Sequence, residues 1–247
     1  MIYTSANGHL GDAVWSAIAF RKIGGQHTFY VPFHYMRCIT ECLEGTEIEV
    51  KEISAAPPDA LSTWIACGRY EGSGVRYNHQ TDLVAYLLQW SNAMARECGV
   101  AKTLFQQRQD MLCDFPAIQR DVEAPEFDVL VVNAQPLSGQ CPQFDNREMT
   151  TLVAQLAEKH KILCTNPVEL DVPRIDTSIC GIGNLANRAK LVVAVSTGAS
   201  ACIHNVFAEP RTMLLLSPIV LDYGRKNMSH FNNCREVEIA LQLEGWL

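Results

Sequence analysis

The sequence predicts an α/β protein built on two parallel sheets, each covered by helices. Three observations carry that expectation. Short apolar runs of strand length alternate with amphipathic stretches of helical period, the order in which each strand returns parallel to the one before. The alternation stops in a charged stretch with two prolines over 101–126 and starts afresh at FDVLVVNAQ (127–135). In that second half, VLVV and KLVVAV are apolar at successive positions, as strands buried on both faces require.

Element by element, MIYT reads as a strand and residues 12–23 as a helix with Val14, Ala17 and Ile18 on one face. HTFYVP is a strand, FHYMRCITECLEG a helix and TEIEVKEI a strand. After APPDA come a short helix over 59–67 and a GSG-containing loop at 72–74. A long helix is expected from about Gln80 to Glu97, with Leu83, Tyr86, Leu87, Trp90 and Met94 at helical spacing. In YNHQTD (77–82), Thr81 and Asp82 supply N-cap chemistry for it. Residues 101–126 read as a connector. The second unit continues with a helix over 146–160, the strand KILCT, a helix over 180–190 and the strand KLVVAV. STGASACIHNVFAEP reads as a turn plus helix and RTMLLLSP as a final strand, before a less regular tail that ends in a helix near 235–243. The domain boundary then falls between 1–120 and 121–247. Sheets of this kind bind ligands at the carboxyl ends of their strands, and in a two-domain version the cleft lies between the sheets.

The composition, 247 residues with 48% apolar and 19% charged, supports a sizeable core and excludes wholesale disorder. A formal charge of −7 argues against a general nucleic-acid binder or a binder of anionic membranes. There is no basic stretch followed by an apolar leader, and no window approaches the ~18 apolar residues of a membrane span, so a cytoplasmic location is expected. The sequence does not set an oligomeric state. The ten cysteines (38, 42, 67, 98, 113, 141, 164, 180, 202, 234) contain no CxxC pair, and several lie in apolar runs such as KILCT and SACIH. They read as buried thiols of a reducing compartment. Zinc would need clustered Cys/His spacing, which is absent, so no metal is expected.

Two loops carry the candidate chemistry: ANGHLGD (6–12), between the first strand and the first helix, and VSTGAS (195–200), which opens a helix after KLVVAV. Backbone N–H groups at a helix start are unsatisfied and the helix dipole favours an anion there. Gly198 would let a phosphate approach the backbone, with Thr197 and Ser200 adding hydroxyl donors. Ser196 or Thr197 could equally be a plain N-cap of a buried helix. Asp12 has the same two readings: a carboxylate complementing the charge of its helix start, or a general base facing a cleft. GIGNLA (181–186) matches GxGxxA, but DVPRIDTSIC before it is a poor strand and no acidic residue follows at the required distance, so a dinucleotide site is excluded. There is no GxxxxGK[ST] loop, HExxH or GxSxG elbow.

GHLGDAVWSAIAFRKI resembles the N-terminal motif of the heptosyltransferase-like glycosyltransferases, and CGIGNLANRAKLVVAVSTGASACIHNVFAEPRTMLLLSP resembles their C-terminal signature. The resemblance implies a GT-B architecture: two Rossmann-like domains with parallel sheets facing a central cleft, 1–120 on the acceptor side and 121–247 holding a nucleotide-sugar. It implies that Asp12 is the catalytic base of an inverting transfer to a hydroxyl acceptor. Thr197 and Gly198 match positions beside the donor's diphosphate, with Gly11, Ser196 and Ser200 in the same loops. Gln135 and Ser138 stand where the family often carries a basic residue, and Gly183 and Asn184 near the donor's base or ribose. Asn7, Gly8, His9, His204 and Arg225 are acceptor or cleft candidates, Arg225 with Lys226 balancing diphosphate charge. No cofactor is implied, the nucleotide-diphosphate sugar being a substrate, and no divalent metal, since no DxD motif is present. The chain departs from the family at Ser196, usually aspartate, and at Ala201, usually histidine, and it is shorter than typical members. A non-catalytic nucleotide-sugar-binding protein and a nucleotide-sugar epimerase of the same architecture therefore stand as alternatives.

Overall fold

A computed structural model describes residues 1–5, 9–64, 83–136, 144–215 and 221–247. The chain forms two compact units, Met1–Ala117 with Ile219–Gly224, and Ile118–Pro218 with Arg225–Leu247.

In the first unit the chain runs β1 (Ile2–Thr4), α1 (Leu10–Ile23), β2 (His27–Val31), α2 (Met36–Cys42), β3 (Ile48–Glu52), β4 (Leu61–Ser62) and α3 (Leu83–Glu97). The strands pair in parallel in the order β3-β2-β1-β4. Burial explains why these segments settle here: Tyr3, Phe20 and Phe29 are fully buried, with ring centroids 4.9 Å and 5.1 Å apart along that series. α1 stops at Gly24, whose φ of 71° suits only a residue without Cβ and whose N–H donates to the Phe20 carbonyl. The edge strand β3 carries Glu49, Lys51 and Glu52, charges that discourage further strand addition.

Two expectations differ here. The helix expected over 33–45 begins as a 3₁₀ turn, Phe33–Tyr35, and is α-helical only over α2. The short helix expected over 59–67 is not formed by its described part, which is the two-residue strand β4 aligned with Tyr3 and Thr4. The physical reason is backbone satisfaction. The second edge of β1 needs partners, and Leu61 to Thr63 supply them, ending with the Thr63 N–H donating to the Thr4 carbonyl at 2.9 Å. The GSG-containing loop and the start of the long helix lie outside the described residues.

The second unit runs β5 (Val129–Val132), α4 (Asn146–Ala157), β6 (Ile162–Cys164), α5 (Ile179–Arg188), β7 (Leu191–Val195), β8 (Arg211–Leu215), β9 (Met228–Phe231) and α6 (Cys234–Leu243). Its parallel sheet has the order β6-β5-β7-β8-β9. β5 and β7 are buried at every position, which is why their sequences do not alternate. Met149, Leu152, Val153 and Leu156 of α4 and Val237 and Leu241 of α6 pack with Val131, Val193 and Met213 in one core.

Here too the sequence reading is corrected at two places. The turn-plus-helix reading of 196–210 gives way to a six-residue 3₁₀ turn, Gly198–Ile203. Asn205 closes it, its amide donating to the Cys202 carbonyl at 3.0 Å and its oxygen accepting from the Phe207 N–H at 3.0 Å, a side-chain substitute for helical bonding. The tail holds an extra strand, β9, before its helix.

Both sheets have a topological switch point, where successive connections leave in opposite directions. It lies between β1 and β4 in the first sheet and between β5 and β7 in the second.

Candidate functional site

At the switch point of the first sheet, β1 is followed by Ser5, whose N–H donates to the Tyr30 carbonyl at 2.8 Å. Ser5 is fully buried and its Oγ makes no hydrogen bond. Asn7 and Gly8 lie outside the described residues. His9 is exposed and holds the N-cap position of α1 with extended backbone, so Asp12 is not the cap. Gly11 and Asp12 lie in the first turn. Asp12 is only 7% exposed, and the Ser16 hydroxyl donates to its carbonyl at 2.8 Å.

A residue that sequence reasoning did not single out joins this site. The backbone N–H of Leu10, one of the donors a helix start leaves open, acts on the Tyr35 phenol electrostatically. Burial raises the phenol above its usual pKa, against the opposing effect of that N–H. The ring packs against His34 with centroids 4.0 Å apart.

At the switch point of the second sheet, Asn133 follows β5. Its oxygen accepts from the Asn166 N–H at 2.9 Å, and its amide donates to the Asn166 carbonyl at 3.2 Å, fixing the loop after β6. Gln135, two residues on, is exposed, and Ser138 lies outside the described residues. Ser196 leaves β7 with its N–H donating to the Leu215 carbonyl at 3.0 Å. Thr197 is the N-cap of the 3₁₀ turn: its N–H donates to Ser200 Oγ at 3.2 Å, and that hydroxyl donates back to the Thr197 carbonyl at 2.9 Å. Thr197 Oγ1 itself is buried and makes no hydrogen bond. Leaving a hydroxyl so costs about 1–3 kcal/mol, which a ligand acceptor or donor would offset. A turn this short has little macrodipole, so an anion here would be held by local N–H groups and hydroxyls rather than by a helix field.

Other candidates are committed to the protein. A Cβ on Gly183 would stand 2.7 Å from the Cys202 carbonyl oxygen, so this glycine serves the close packing of α5 on the 198–203 turn. Asn184 donates to the Ile118 carbonyl at 3.1 Å and accepts from the Val122 N–H at 3.4 Å, fastening the connector to α5. Arg225 donates to the carbonyls of Ala208, at 2.8 Å, and Asn205. His204 is 4% exposed and is pushed down to about 3 by burial first, then by Arg225 and His230, so it stays neutral. The thiols of Cys164 and Cys234 are pushed up to about 12, chiefly by burial, and are inert. Among the described residues no helix is long and apolar enough to cross a membrane.

No family model matches the sequence, and no curated protein sequence matches it. Solved structures do. The chain superposes on E. coli heptosyltransferase WaaC with ADP-2-deoxy-2-fluoro heptose with a TM-score of 0.57 at 13% identity, covering 98% of this chain and 99% of that one. E. coli ADP-heptose LPS heptosyltransferase II matches with a TM-score of 0.51 at 11% identity, over 99% of each chain. TibC, an iron-containing dodecameric glycosyltransferase of enterotoxigenic E. coli, matches with a TM-score of 0.53 at 12% identity, over 94% of this chain and 62% of that one. At these identities the likeness is one of fold: two parallel α/β units of the GT-B-like kind, as in the heptosyltransferases.

Proposed function

We propose that the protein is a glycosyltransferase that moves a sugar from a nucleotide-diphosphate donor to a hydroxyl acceptor. The observation that carries this reading is Asp12: a buried carboxylate in the first turn of the helix that leaves the first strand, at the switch point where parallel sheets bind ligands. Two of its structural neighbours are heptosyltransferases, one with a fluorinated ADP-heptose, which supports a sugar-nucleotide as the donor class. Asp12 takes the proton of the acceptor hydroxyl as that oxygen bonds to the anomeric carbon. The bond from that carbon to the diphosphate breaks, the electron pair leaves with the diphosphate, and the configuration inverts. The 197–200 turn receives the leaving charge, with the Thr197 hydroxyl and the N–H groups at the turn's start as donors. In this reading no divalent cation takes part, and the lack of a DxD motif supports that.

The test begins with a thermal-shift screen of nucleoside diphosphates and their sugar conjugates, in which a donor at ~100 times its Kd should stabilise by about 2.7 kcal/mol. Transfer is then assayed with the donor found. Asp12→Asn should slow transfer by roughly 10²–10⁴-fold while keeping the donor-induced shift, and EDTA should leave the rate unchanged. Donor binding with no transfer by the wild-type protein would make it a binding protein instead. Conversion of the donor sugar without any acceptor would make it an epimerase.

A further inference from the structure

The second unit brings two cysteine sulfurs together at the turn that carries Thr197. Cys180 is the second residue of α5, and Cys202 lies in the Gly198–Ile203 turn. Both are thiols, 1% and 0% exposed. A buried cysteine commonly serves as a small apolar side chain and nothing more. This pair differs in its geometry. The two Sγ atoms stand within 4.8 Å of each other. A disulfide needs them about 2.05 Å apart, a step that a rotamer change at one or both side chains can cover. The backbones are already in contact: a Cβ on Gly183, one helical turn after Cys180, would stand 3.2 Å from the Cys202 Cβ. The turn is therefore seated on the face of α5 that bears Cys180. It is held there by side chains rather than by a helical ladder. Ser200 Oγ bonds the Thr197 N–H and carbonyl, and the Asn205 amide bonds the Cys202 carbonyl at 3.0 Å. A short segment held in this way opens locally more readily than a sheet core does, and such opening admits a small oxidant to a buried thiol.

We propose that Cys180 and Cys202 form a reversible disulfide that clamps the Thr197 turn to α5, with hydrogen peroxide as the oxidant. One sulfur, as thiolate, attacks the peroxide: an S–O bond forms, the O–O bond breaks, and the departing hydroxide takes up the thiol's proton as water. The second thiol attacks the resulting sulfenic sulfur: the S–S bond forms, the S–O bond breaks, and another water leaves with the second proton. Two thiols are oxidised and one peroxide is reduced to two waters. The nearness of the second sulfur favours this capture over further oxidation of the sulfenic acid. A thiol reductant reopens the bond. The clamp bears on donor binding only through the glycosyl-transfer reading; the disulfide does not rest on that reading.

Peptide mapping of the native protein after hydrogen peroxide treatment tests the bond without any donor. Trypsin leaves Cys180 in residues 175–188 and Cys202 in residues 191–211, each with no other cysteine, so a cross-link between these peptides reports this pair alone. It should be the main disulfide formed, vanish on treatment with dithiothreitol, and be missing from Cys180→Ala and Cys202→Ala. Hydrogen exchange across 197–203 reports the clamp: it should slow about tenfold in the oxidised protein and recover on reduction. Both readings are made on the parent protein, so the test stands even where a variant fails to fold. No cross-link between these peptides, a different pairing as the main product, or a cross-link that leaves exchange unchanged would each overturn the proposal. A clamp that forms in a protein that transfers nothing would leave this inference standing and remove the glycosyl-transfer reading. Transfer by a protein that forms no such cross-link would do the reverse.

Discussion

A buried hydroxyl without a partner is tolerated by a fold only where something else gains from it, and Thr197 presents one at the second switch point. Replacing it by valine keeps the shape and removes the unsatisfied atom. Thr197→Val should therefore leave stability unchanged or raise it by up to about 1 kcal/mol, while donor affinity falls about five- to tenfold, the worth of one hydrogen bond. Melting curves and a donor titration on the same sample separate the two effects; a stability loss with affinity intact would mean that the hydroxyl serves the turn. The places of Asp12 and Thr197 in the fold were legible in the sequence: Asp12 opens the helix after the first strand and Thr197 follows the apolar run LVVAV by two residues, so topology sends both toward a carboxyl edge. Ser5 and Tyr35 were not. Ser5 owes its burial to the strands on either side of it, and Tyr35 owes its raised pKa to burial in the turn that follows β2. Both are tertiary facts that no local spacing encodes.

At the scale of elements, the packing of α5 on the 198–203 turn positions the proposed phosphate loop. The second glycine of the G-x-G at 181–183 belongs to that packing, since Gly183 lies inside α5 against the backbone of Cys202. Helix propensity alone would make Gly183→Ala stabilising by up to about 1 kcal/mol. The contact reverses the sign: an added methyl 2.7 Å from a carbonyl oxygen must displace backbone, and overpacking of this kind costs about 1–3 kcal/mol. Gly183→Ala should lower the melting temperature and weaken donor binding together, whereas a melting temperature at or above the parent's would show that α5 can shift without disturbing the turn. The same physics sorts the elements by legibility. β5 and β7 could be read because continuous burial leaves a continuous apolar run. β4 has two residues and β9 is half-buried throughout, so neither leaves an apolar pattern, and each exists because a neighbouring strand needed partners. The 196–210 segment has the turn signal of a helix start, but the side chain of Asn205 ends it after six residues.

At the scale of the whole molecule, buried histidines set how folding responds to acid. His204 titrates at about 3 in the folded protein, against 6.5 for an unperturbed imidazole, and burial also lowers His27 despite its bond to the Gly24 carbonyl. Below pH 6.5 the unfolded chain therefore binds protons at both rings before the folded chain does. Stability is full above that pH and falls as pH drops, each group adding a slope of up to about 1.4 kcal/mol per pH unit until its folded pKa is reached. Carboxylates act in the same direction but lower on the scale. Arg211 holds Glu244, and the Asn232 backbone and side chain hold Glu236, below the ordinary value of 4.5, so their stabilisation is present above that value and lost beneath it. Acid sensitivity should thus begin between pH 6.5 and 5, before the carboxylates titrate. Urea midpoints measured from pH 8 to pH 5 should be flat down to about 6.5 and then decline. His204→Leu should flatten most of that decline whatever it does to stability at pH 8, because only the slope reports protons. A decline of the same steepness in the variant would assign it to His27 and to groups other than His204.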